Sequence, residues 1–124
     1  MYARAANSYR QVDLDSAPKS EIMMRLFARC LADIAAGRAA IAARNIAGKA
    51  RALDHATQIV VELRAALDHK AAPDLASRLD SLYGYVQDQL SAANAKLDIK
   101  PLDAATRIMG ELSEAFAVAR TRAP

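Results

Sequence analysis

Tryptophan is absent from this chain, phenylalanine occurs twice and cysteine once. A single cysteine, Cys30, excludes an internal disulfide framework and suits a reducing compartment. Aromatics make up 5% of residues although 53% are hydrophobic. The apolar weight is therefore carried by alanine and leucine, which favour helices and let them approach closely. The four glycines are scattered, so no loop resembles a phosphate cradle. No apolar run approaches the ~18 residues of a membrane span, and none follows Arg4 as a secretory leader requires. No membrane insertion is expected, and the protein reads as cytosolic. Charge of one sign is also in short supply: the net charge is +3 and the pI about 9.2. That balance permits acidic partners without demanding them.

The 124 residues suffice for one domain with one core. Residues 1–15 show no helical period and read as a flexible arm, with Tyr9 placed to lay a ring on the body. Residues 16–122 read as a bundle. The first helix is expected over about 17–44, with Ser16 as N-cap, Pro18 in the first turn and Glu21 near the positive end. Its apolar residues Ile22, Met23, Leu26, Phe27, Cys30, Leu31, Ile34 and Ile41 cover about half the circumference. Arg25, Arg29 and Asp33 mark its wet side. A second helix, about 47–69, carries Leu53, Ala56, Val60, Leu63 and Leu67, with Ile59 on the flank. A third, about 73–97, carries Leu75, Leu79, Leu82, Val86, Leu90, Ala93 and Leu97, leaving Tyr85 off the stripe. A fourth, about 100–121, carries Leu102, Ala105, Ile108, Met109, Leu112, Phe116 and Ala119. Connections this short make successive helices antiparallel neighbours. The fold class is all-α, an antiparallel up-down-up-down four-helix bundle.

Catalytic and metal chemistry find no purchase. Di-iron bundles use Glu-x-x-His pairs, but Glu21, Glu62, Glu111 and Glu114 are followed three residues on by Met24, Ala65, Glu114 and Ala117. His55 and His69 stand too far apart to chelate one ion from one helix, and both read as solvent-facing. Cys30 lies inside an apolar stripe, where cysteine acts as a small hydrophobe. No cofactor is expected, and the chain does not read as an enzyme. Arg38, Arg44, Lys49 and Arg51 around the first turn offer an alternative reading, a small nucleic-acid-associated or regulatory bundle. Arg120 and Arg122 form a second cluster at the opposite end, which divides the charge and weakens any single phosphate-tracking face.

What remains is apolar surface in excess of one core: Met24, Phe27 and Leu31 on the first helix, Ile59 and Ile108 beside their stripes, and Tyr85. Such a surplus suits a groove that receives an amphipathic segment, and the arm carrying Tyr9 is long enough to cover it.

Several stretches resemble the flagellar secretion chaperone family, FliS. Tyr9-Arg10-Gln11 is similar to the family's tyrosine-containing arm. Ser16-Ala17-Pro18 with Glu21 to Phe27 resembles its Thr/Ser-x-Pro opening and apolar run. Ala56 to Leu63 is similar to its Ile-Ile-x-Glu-Leu helix. Leu82-Tyr83-Gly84-Tyr85-Val86 resembles Leu-Tyr-x-Tyr-Met, and Ala93-Asn94 with Asp98 its Ala-Asn…Asp signature. Leu112 to Phe116 stands where the family often ends in an aromatic. Phe27 replaces the usual tyrosine, Ala28-Arg29 replaces a small or acidic pair, and no tryptophan follows. The resemblance implies the same bundle and a cytosolic chaperone. It would bind the disordered C-terminal segment of flagellin, prevent early polymerisation and help deliver it to the flagellar type III export apparatus, with an export gate component as second partner. The residues expected to meet partners are Tyr9, as arm anchor, and Ile59, Leu63, Tyr85, Ile108 and Leu112, as groove lining.

Overall fold

The computed structural model describes residues 17–122, all of them in four helices and their turns. Helix α1 spans Ala17–Ala42, α2 Ile46–Ala65, α3 Pro73–Lys96 and α4 Lys100–Arg122. Each helix packs on the next, and α4 closes back on α1. The result is the antiparallel four-helix ring expected from the short connections. Ser16 and the arm with Tyr9 lie outside the described residues.

The turns, residues 43–45, 66–72 and 97–99, are longer than the periodicity implies. Helix α1 ends in a Schellman turn. Asn45 N–H donates to the Ala40 carbonyl at 2.8 Å and Arg44 N–H to that of Ile41 at 3.0 Å, which satisfies two orphan carbonyls. Arg44 takes the left-handed conformation, φ 58°. Asn45 then caps α2, its Oδ1 accepting from Gly48 N–H at 3.0 Å, so α2 begins directly after the turn. It stops at Ala65, because Asp68 turns the chain by accepting from the backbone N–H groups of Lys70 and Ala71, both at 3.0 Å. An Asp side chain competing for backbone donors in this way ends a helix that apolar spacing alone would extend to residue 69.

The core contains Leu26, Phe27, Cys30 and Ile34 from α1, and Leu53, Ala56, Ile59, Val60 and Leu63 from α2. Tyr83, Val86, Leu90 and Ala93 come from α3, and Leu102, Ala105, Ile108 and Met109 from α4. Met23, Leu31, Leu112 and Phe116 pack half-buried around it. The Phe27 and Phe116 rings meet at 5.9 Å. Stripe positions are met on α1, α2 and most of α4, although Ala119 is exposed.

On α3 the helix is rotated relative to its expected stripe. Ala76 and Tyr83 are buried, while Leu75, Leu82 and Leu97 are exposed. Arg64 of α2 meets α3 in this orientation. It donates through Nε and Nη2 to both oxygens of Asp80, at 2.6 and 3.0 Å, and through Nη1 to Gln87 Oε1 at 2.7 Å. A bidentate fork of this kind fixes orientation as well as distance. Gly84 makes room for it: a Cβ there would lie 3.3 Å from Arg64 Nη1.

Two further expectations are corrected on the α1–α2 seam. Asp33 is buried rather than wet, and it holds His55 Nδ1 and, at 3.3 Å, Arg29 Nε. His55 is therefore a buried carboxylate's partner and not simply solvent-facing. A buried carboxylate needs such partners, and the polar residue that periodicity puts outside is turned inward to meet one.

Candidate functional site: the α3–α4 seam

The bonds just described orient the remaining surface. Asp80, Gln87 and Gly84 mark the side of α3 turned to α2, so Leu82 and Tyr85 fall on its opposite flank, toward α4. On α4, Asp103 holds Arg38 and Phe116 meets Phe27, which marks the side turned to α1. Ile108 and Leu112 fall on the other flank, toward α3. The four side chains thus share one seam. Leu82 is 38% and Tyr85 47% exposed, Leu112 is half-buried and Ile108 is nearly closed off.

The motif Leu82-Tyr83-Gly84-Tyr85 now divides by role. Tyr83 goes into the core, where burial, with Cys30 nearby, pushes its phenol up to about 12. Gly84 lies under Arg64. Leu82 and Tyr85 face outward on the seam.

Ile59 and Leu63 do not line this surface. Both are fully buried in the core cluster, because α2 turns its flank inward to meet α1. They back the bundle and present no face to a partner. Leu82 was missed by periodicity, which assigned it to the core. No signal in the residue order separates Leu82 from Tyr83, since successive pairs such as Leu26-Phe27 and Ile59-Val60 are both buried elsewhere in the core. Tyr9 lies outside the described residues.

The chemistry available here is packing. Among the described residues, no three His, Cys, Asp or Glu side chains gather as a metal site. The Cys30 thiol is pushed up to about 12 by burial and by Asp33, which leaves it protonated and unreactive. The cations around the first turn are partly consumed: Arg38 pairs with Asp103, and buried Lys49 donates to the Asn94 carbonyl at 2.9 Å. No helix among the described residues is long and apolar enough to cross a membrane.

Both the sequence and the fold have counterparts among known proteins. The pattern of the family described as "Flagellar protein FliS" matches residues 1–123. The flagellar secretion chaperone FliS of Vibrio cholerae is 32% identical over 113 residues, covering 88% of this chain and 83% of the relative. The flagellar secretion chaperone FliSB of Pseudomonas aeruginosa is 30% identical over 121 residues, covering 94% and 96%. A solved structure titled "Crystal structure of flagellar chaperone from bacteria" shares the fold, with a TM-score of 0.79 at 18% identity, over 99% of this chain and 100% of that one. With a whole-length family match and two relatives at this identity, the chain belongs to the FliS family of flagellar secretion chaperones.

Proposed function

We propose that this chaperone binds the disordered C-terminal segment of flagellin in the cytosol. In that role it keeps the segment from polymerising early and helps deliver it to the flagellar type III export apparatus, where a gate component receives the complex. One observation carries the reading. The α3–α4 seam leaves Leu82 and Tyr85 exposed next to half-buried Leu112, and no catalytic group stands nearby. A disordered client that folds as it binds gains the apolar burial this strip offers. Tyr85 and Leu82 are the anchors, Leu112 and Ile108 form the floor, and Tyr9 engages from the arm.

Titration calorimetry with a peptide of the flagellin C-terminus tests it. The unmodified chain binds with equimolar stoichiometry, and the peptide gains helicity. Leu82→Glu and Tyr85→Glu each weaken binding roughly 30-fold or more, as loss of a hot-spot residue does. Val118→Glu, at an equally exposed position, leaves it unchanged. No binding by the unmodified chain sinks the proposal. DNA binding that falls steeply with salt, in place of peptide binding, would return the basic first turn to the lead.

A further inference from the structure

The two turns at one end of the bundle carry features that stability does not account for. Ile46 is 53%, Leu97 47% and Ile99 41% exposed. Leu97 also sits at φ 55°, and Arg44, on the neighbouring turn, at φ 58°. A left-handed helix end favours glycine, and a bulky side chain there is strained. Position 97 thus holds a residue that is both strained and wet, where glycine would be neither.

The surroundings are cationic. Arg44, Lys96 and Lys100 are exposed, and none of the three side chains joins an ion pair among the described residues. The single acid between them, Asp98, is turned to the backbone, accepting from Lys100 N–H at 3.0 Å. Beneath the tip the helices are tied together. Lys49 donates to the Asn94 carbonyl at 2.9 Å and Asn94 Nδ2 to Asp54 at 3.4 Å, joining α2 to α3. Arg38 donates to Asp103, joining α1 to α4. The surface is therefore presented on a braced frame. The turn at the opposite end, residues 66–72, carries one large apolar side chain, Leu67, and it is half-buried.

We propose that this tip, formed by Ile46, Leu97 and Ile99 with Arg44, Lys96 and Lys100, is a second docking surface. It accepts an acidic amphipathic segment of a protein partner, separate from the client seam on α3–α4. Charge complementarity selects the occupant: three free cations around three apolar side chains fit an apolar stripe edged with Asp or Glu.

The probe is a designed helical peptide of about 18 residues, five turns long, with a leucine stripe edged by glutamate. Its counterpart has lysine in place of each glutamate. Backbone amide shifts of the full chain are followed on titration. The glutamate peptide shifts residues 43–48 and 96–100 and leaves 82–90 unmoved. The lysine peptide binds at least tenfold more weakly, and Arg44→Glu with Lys100→Glu reverses the preference. Equal binding of the two peptides overturns the proposal, as do shifts centred on the α3–α4 seam. So does tip binding to phosphatidylglycerol vesicles or an oligonucleotide in the absence of peptide binding. Leu97→Gly supplies an independent reading: it weakens the glutamate peptide at least tenfold while the melting temperature holds or rises. A drop of several degrees would show Leu97 to be there for packing and overturn the assignment.

Discussion

The α1–α2 seam and the α3–α4 seam are built from similar helices and treated in opposite ways. On the first, Gly37 lets Leu53 press against the α1 backbone, so that a Cβ would lie 2.4 Å from Leu53 Cδ2. Cys30 packs over the Ala56 carbonyl at 3.9 Å, and the Asp33–His55 pair is enclosed beside them. On the second, Leu82 and Tyr85 stand in water, while Gly110, on the face of α4 that carries exposed Asp103, meets open space. The lesson is that a small residue inside a helix has no fixed meaning. At 37 it permits close approach of a neighbour, and at 110 it leaves a surface low. One hairpin is closed over its seam and the other leaves large side chains exposed on its own.

The contrast can be broken most severely at Leu53. Leu53→Ala empties the tight seam and costs about 2–5 kcal/mol in urea unfolding. Gly37→Val overfills the same place and costs about 1–3 kcal/mol. The two are coupled, so the cost of Gly37→Val shrinks in the Leu53→Ala background, and strict additivity would show that the two residues do not share one space. On the same helix but away from the open seam, Gly110→Ala meets nothing and raises stability by about 0.5–1 kcal/mol, through helix propensity alone. Leu82→Glu changes stability by less than about 0.5 kcal/mol, as exposed substitutions do, although in the proposed function it removes a client anchor.

The smallest effect concerns the Arg64–Asp80 tie, which joins α2 to α3. The Arg64 guanidinium hydrogen-bonded to Asp80 holds its carboxyl below the ordinary value of 3.8. A lowered folded value means that the stabilisation is fully present above the ordinary value and is lost as pH falls from there through the folded one. The stability difference between the unmodified chain and Asp80→Asn is therefore constant from pH 7 to about pH 5 and disappears in stronger acid. Thermal melts across that range check it. Both partners are partly exposed, so the difference is small and shrinks in salt.

Much of this was readable from residue order. Four runs of apolar residues at helical spacing, separated by short polar breaks, have few solutions other than an antiparallel ring, because each stripe must be buried against another of similar length. The motifs around Tyr83 and Asn94 likewise point to the family from residue order alone. Tertiary structure alone decided how each helix is rotated about its own axis. A stripe specifies a broad face, and packing against the neighbouring helices chooses the centre of that face. On α3 Tyr83 lies inside and Leu82 outside, an orientation in which Arg64 meets Asp80 and Gln87. On α1 the acid Asp33 is turned inward to His55, and on α2 Ile59 and Leu63, which residue order offers as groove lining, are packed into the core. Periodicity is a property of one helix. Which part of its face meets water depends on partners far away in sequence, and those partners exist only in the folded chain.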